Sequence, residues 1–259
     1  MTDEAATRAA TLRGSSAELR RRAEAAEAPP SFAAALRKSR VAIIAEVKRS
    51  SPSRGVINAT LDVGQQVRAY ESGGASAISI LTEPRRFGGS NEDLIKARAA
   101  TALPLLKKDF HVDVAQIFEA KALGASAALV IVRAVEPRRL LDLLDAGRDV
   151  GLDILVEVRD EAELELALFY QADIIGVNNR NLETLEIDPG TAARVIPFIP
   201  AGVTAVAESG VKTAEDVSRL ADVGADAVLV GSELSGAADP TSAVRALADF
   251  KRVSGARKG

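Results

Sequence analysis

Short apolar runs alternate with longer amphipathic stretches along almost the whole chain. Four of the runs follow a small-residue turn that recurs at a regular interval. Gly74-Ala75-Ser76-Ala77, Gly124-Ala125-Ser126-Ala127, Ala172-Asp173 and Gly224-Ala225-Asp226-Ala227 lead into apolar segments at 78–81, 128–132, 174–177 and 228–230. The shared alanines, 75, 125, 172 and 225, are separated by 50, 47 and 53 residues, about the length of two strand–helix units. Four further apolar segments lie midway, at 42–47, 104–106, 152–158 and 203–207. All eight are continuous or β-branched-rich, as strands buried on both faces are. Between them the polar and apolar positions follow a helical period at 61–72, 92–101, 115–123, 138–150, 161–170, 189–196, 214–223 and 241–253. Thr60, Asp113, Asp160, Asp188 and Thr213 stand where caps belong.

Eight strand–helix units in about 215 residues predict an α/β protein, a single (β/α)8 barrel. Alternation alone also suits a doubly wound open sheet, and the 50-residue quarter rhythm favours closure. The preceding 40 residues read as an N-terminal helical extension (1–40, then the barrel at 41–259), with helices at 4–12 and 17–26 broken by Gly14-Ser15-Ser16 and Pro29-Pro30. Such a segment either caps the closed floor of the barrel or packs as a lid near its mouth.

Composition narrows the chemistry. The chain holds 33 basic and 36 acidic residues, a net charge of −3, so no nucleic-acid partner is expected. With no cysteine and one histidine, disulfides, Fe–S clusters, thiolate zinc sites, a cysteine nucleophile and any His-rich metal cage are excluded. No apolar run approaches the roughly 18 residues of a membrane span, and no signal peptide is apparent, so a cytoplasmic location without membrane contact is expected. No exposed apolar stripe stands out, and the expected state is a monomer.

In barrels of this kind the chemistry sits where strands end. Charged residues collect at these ends. Glu46 and Lys48 are two apart on strand one and share a face, followed by the turn at Ser51. Strand three ends in Lys107-Lys108, and a lysine inside an apolar mouth is a candidate general acid or Schiff-base nucleophile. Glu157 is the one carboxylate in an apolar fifth strand, which calls for a partner or a task. Asn178 and Arg180 share a face after strand six. Glu208-Ser209-Gly210 ends strand seven and Gly231-Ser232 ends strand eight, where glycine amides commonly bind phosphate. Phe87 lies on a loop after strand two, placed to stack on a ring or to seal the loop. His111, the single histidine, is expected in a plain loop position without a special role.

The stretches Ile44-Ala45-Glu46-Val47-Lys48-Arg49-Ser50-Ser51-Pro52-Ser53, Lys108-Asp109-Phe110, Val156-Glu157-Val158, Gly176-Val177-Asn178-Asn179-Arg180-Asn181, Ala207-Glu208-Ser209-Gly210 and Val230-Gly231-Ser232, in this order, resemble the indole-3-glycerol-phosphate synthase family. The resemblance implies a carboxy-lyase acting on a phosphorylated small molecule, anthranilate joined to a ribulose 5-phosphate chain, with no cofactor or metal. It implies Lys108 as general acid, with Glu46 orienting and charging it. Lys48 is implied at the substrate carboxylate and in dehydration, Glu157 as general base, and Asn178 and Ser209 as positioning hydrogen-bonders. Ser51, Gly210, Gly231 and Ser232 are implied at the phosphate and Phe87 in the aromatic pocket, while Arg180 and Glu208 are counted among the substrate-binding residues. His111 stands where this resemblance leads one to expect an apolar residue. The alternative is a barrel that binds a phosphorylated ligand without chemistry.

Overall fold

A computed structural model describes residues 2–253 and 255–257. Eight parallel strands, β1 (Ala42–Val47), β2 (Ala77–Leu81), β3 (Leu105–Lys108), β4 (Ala127–Ile131), β5 (Asp153–Val158), β6 (Ile174–Asn178), β7 (Thr204–Glu208) and β8 (Ala227–Val230), form a closed barrel. The ring shuts between β1 and β8, with Ala42 opposite Ala227 and Ala45 opposite Val230. Closure, which alternation leaves open, is thereby present.

Alternation along the strands sorts side chains into two cores. Ala42, Ile44, Ala77, Leu106, Ala127, Leu129, Leu155, Val206 and Leu229 fill the barrel interior. Ile43, Ala45, Ile78, Ile80, Val156 and Val177 pack outward beneath the helices. The inward file continues by twos to the open end, where it turns polar: Glu46 above Ile44, Lys108 above Leu106, Glu157 above Leu155, Glu208 above Val206.

The helices outside the barrel are α4 (Val63–Gly73), α6 (Asn91–Ala100), α7 (Val114–Ala122), α8 (Pro137–Val150), α9 (Glu161–Phe169), α10 (Gly190–Val195), α11 (Ala214–Asp222) and α13 (Pro240–Leu247). Asp113, Asp160 and Thr213 cap α7, α9 and α11 as the sequence suggests. For α4 the cap is Asp62 rather than Thr60, because the Asp62 carboxylate accepts from the Gln65 amide. Helix α13 ends at Leu247, six residues short of the helical pattern. Ala248 is extended and Asp249 left-handed, and the chain then runs back along the strand-one entry, where the Val41 amide donates to Phe250 O.

Parts of the N-terminal extension lie at both ends of the barrel. Helix α1 (Thr2–Arg13) lies at the mouth: Glu4 pairs with Arg85 at 2.9 Å, and Arg8 with Asp109 at 2.5 Å. Helix α2 (Ser16–Ala25) packs on α7 along the barrel side. Helix α3 (Phe32–Leu36), which no periodicity announces, plugs the floor with fully buried Phe32 and Leu36. The Ala33 amide there donates to Asp153, and Arg37 to Thr204, both at the start of strands.

Among the described residues no helix is long and apolar enough to cross a membrane.

Candidate active site

The open end of the barrel is a pocket, and the residues expected from the sequence to make up the site line it: Glu46, Lys48, Ser51, Phe87, Lys108, Glu157, Asn178, Arg180, Glu208, Ser209, Gly210, Gly231 and Ser232. They come from six of the eight strand ends and one loop helix, α5 (Pro84–Phe87).

Two ammonium–carboxylate systems face the pocket. Lys48 Nζ lies 2.6 Å from Glu46 Oε1. Lys108 Nζ lies 2.7 Å from Glu208 Oε2 and 3.6 Å from Glu157 Oε2. Burial alone would pull the Lys108 ammonium down, but the carboxylates of Glu208, Glu157 and Glu46 outweigh it, and the net direction is upward. Burial pushes the Glu208 carboxyl up to about 7, with Lys108 pulling it back and Glu157 and Glu46 adding to the rise. The task that the resemblance gives to Glu46 is thus divided. Its hydrogen bond goes to Lys48, Lys108 is oriented by Glu208, and Glu46 adds to the field that keeps Lys108 charged.

Hydrogen bonds fix the neighbours. The Arg180 amide donates to Asn178 Oδ1 at 2.9 Å, which turns the Asn178 Nδ2 group to donate to Glu157 Oε1 at 2.9 Å. Glu157 is thereby left with Oε2 toward Lys108. Ser209 is held left-handed at φ 65, a conformation costly for a residue with a Cβ, and its carbonyl accepts from Asn179 Nδ2 at 2.9 Å. Ser209 and Gly210 thus form a turn of consecutive positive φ where the strand-seven backbone faces the pocket. Two glycines make room for charged groups. A Cβ at Gly231 would come within 2.3 Å of Glu46 Oε1, and one at Gly176 within 2.1 Å of Glu208 Oε1.

Several supports were not legible in the sequence. Ser235, in the four-residue helix α12 (Ser232–Ser235), donates to Glu46 O at 2.8 Å and accepts from the Lys48 amide at 3.0 Å, pinning the end of β1 to the strand-eight loop. Glu83 caps α5 by accepting from the Arg85, Arg86 and Phe87 amides, which sets the half-buried Phe87 ring at the pocket edge. Phe110, Leu129, Ile131, Leu182 and Ile187 complete an apolar wall. Phe110 lies two residues beyond Lys108, and this spacing was the available signal for it; the loop residues Leu182 and Ile187 carried none. His111 is in the loop after β3 as expected, but there it is fully buried, its Nδ1 2.7 Å from Leu129 O.

The arrangement offers charged acids and bases around an apolar slot, with backbone amides at one end. The indole-3-glycerol phosphate synthase family profile matches residues 2–247. The chain belongs to this family. It is 50% identical to the indole-3-glycerol phosphate synthase of Mycolicibacterium gilvum (strain PYR-GCK) over 228 residues, 88% of this chain and 84% of that one. Indole-3-glycerol phosphate synthase 1 of Streptomyces coelicolor is 50% identical over 227 residues, with the same coverage of each chain. Among solved structures, the thiamine phosphate pyrophosphorylase from Pyrococcus furiosus superposes with a TM-score of 0.61 at 16% identity, covering 81% of this chain and 94% of that one, a likeness of fold alone. Family membership makes the protein a carboxy-lyase of tryptophan biosynthesis.

Proposed function

We propose that the mouth of this barrel closes the indole ring of 1-(2-carboxyphenylamino)-1-deoxyribulose 5-phosphate, with Lys108 as the acid of the first step. The ring carbon bearing the carboxylate attacks the chain carbonyl, and the carbonyl oxygen takes a proton from Lys108 Nζ as the carbon–carbon bond forms. Loss of CO2 returns its electron pair to the ring. Departure of the hydroxyl as water, with removal of a proton from the intermediate by Glu157, then completes the indole.

The observation that carries this reading is the Lys108 ammonium, lying on the inward face of β3 between Glu208 at 2.7 Å and Glu157 at 3.6 Å. Attack by the ring costs it aromaticity, so a proton delivered to the accepting oxygen acts where the barrier is highest. A positioned acid supplies about 10²–10⁴-fold. Lys48, held by Glu46, is the cation for the substrate carboxylate and the acid for the departing hydroxyl. Asn178 and Ser209 position, Glu208 orients Lys108, and Arg180 reaches chain hydroxyls or carboxylate. The apolar wall with Phe87 takes the aromatic ring. Ser51, Gly210, Gly231 and Ser232 take the phosphate, whose remote binding energy holds a flexible chain in reacting geometry.

Lys108→Ala tests the assignment. Turnover is expected to fall by about 10²–10⁴-fold with the substrate still bound and the fold intact by circular dichroism. Near-native turnover in that variant would remove Lys108 from the acid's place. A barrel that only binds its ligand has no observation in its favour, since Lys48, Lys108, Glu46, Glu157 and Glu208 are all present at the mouth.

A further inference from the structure

Arg54 ends the turn that follows β1, and Glu233 is the second residue of α12, after β8. Their side chains meet across the seam of the barrel, Arg54 donating to Glu233 Oε1 at 2.6 Å. Both line the active-site pocket, alongside Ser51, Gly210 and Ser232. The pair is too exposed to matter much for stability, with 46% and 37% of the two side chains accessible.

A second guanidinium lies near the pair. Arg180 lines the same pocket, and its guanidinium donates to the Leu185 carbonyl at 2.7 Å. Burial first, and then the nearby Arg54 charge, push Arg180 downward, with Glu46 working against them. Two guanidiniums close enough to repel thus face a pocket end where Glu233 is the carboxylate answering Arg54. A dianion bound beside Ser232 would in turn sit next to Glu233, so a cation shared between the two would relieve both repulsions. A guanidinium, with five donors in a planar fork, can hold a phosphate bidentately while keeping a further N–H on a carboxylate.

We propose that Arg54 is a further ligand of the substrate phosphate, held over the site by Glu233, and that the Glu233 charge opposes the incoming anion. The inference rests on the phosphate end of the pocket assigned above. It adds a specificity-determining side chain to a grip otherwise made of backbone amides and serine hydroxyls.

The test measures inhibition by inorganic phosphate, competing with substrate, in the wild type, Arg54→Ala and Glu233→Gln. Binding of the unphosphorylated 1-(2-carboxyphenylamino)-1-deoxyribulose is measured in parallel. Arg54→Ala is expected to weaken phosphate by about tenfold or more. Glu233→Gln, which keeps the acceptor for Arg54 and removes the charge, tightens phosphate. Neither change moves the unphosphorylated compound. Equal weakening of both ligands by Arg54→Ala would mean a structural pair and overturn the inference, as would unchanged phosphate inhibition. Weaker phosphate binding in Glu233→Gln would overturn the opposing role of its charge. A wild type that phosphate does not inhibit would remove the phosphate end itself, and this inference with it.

Discussion

Lys107 and Lys108 are neighbours in sequence, but the period of a strand sends them to opposite faces. Lys108 points into the mouth, whereas Lys107 lies in the helix layer, 3.1 Å from Glu119 and 3.9 Å from Asp109. The Lys107 charge has a second consequence. Burial first, then Lys107, with Arg8 adding to them and Asp109 and the Leu129 carbonyl working against them, push His111 down to about 4. At neutral pH the imidazole is therefore uncharged, its Nδ1–H donating to Leu129 O. The unfolded chain takes up this proton near pH 6.5 and the folded chain only near 4, so His111 costs stability as pH falls through that window. At pH 5 the cost is on the order of 2 kcal/mol. His111→Gln removes the titration and keeps a donor for Leu129. Urea unfolding at pH 7.5 and pH 5 is expected to show a smaller acid loss in the variant, and equal losses would refute the burial argument. From sequence, Glu46, Lys48, Lys108 and Glu157 were legible as mouth residues, because an inward period in an apolar strand leaves them few other places. The pairing of Glu46 with Lys48 was legible from their shared face, but that Glu208 holds Lys108 was not, since that depends on the spacing of strands around the ring.

Among the elements, the long helices and buried strands declared themselves through periodicity. The pieces that shape the site did not. Helices α3, α5 and α12 are five, four and four residues long, too short to display a 3.6-residue period. The extension was visible as helices but not as a strap running from mouth to floor, because its anchors are single side chains on distant loops. The anchor nearest the chemistry is Arg8, which pairs with Asp109, the residue after Lys108, and lies 3.6 Å from Glu83. Burial pushes the Asp109 carboxyl up, but Lys107, His111, Arg8 and the Thr82 hydroxyl outweigh it and set it low. Asp109 keeps its bonds to Thr82 and to the Phe110 amide without Arg8. Arg8→Ala is therefore expected to cost only about 1 kcal/mol, while lowering kcat several-fold by loosening the loop after β3. Thermal melts and steady-state rates check this together, and a lower Tm with unchanged kcat would make the strap a purely structural device.

At the scale of the whole molecule, function depends on closure. Lys108 and Glu208 come from strands 100 residues apart in the chain, and Arg54 and Glu233 from ends 179 residues apart. The quarter-barrel rhythm implied that such residues would meet, and the register of β1 on β8 brings them together. The ring therefore presents two separately charged lysines, one with Glu46 and one with Glu208 and Glu157, on different sides of one pocket. In the proposed mechanism these two lysines serve different steps, Lys108 the ring attack and Lys48 the loss of water. A single-turnover experiment that follows CO2 release and indole fluorescence together, in Lys108→Ala and Lys48→Ala, tests it most directly. Lys108→Ala is expected to release neither product at a native rate, whereas Lys48→Ala releases CO2 ahead of indole. CO2 escaping ahead of indole in Lys108→Ala, with Lys48→Ala blocked before decarboxylation, would contradict it.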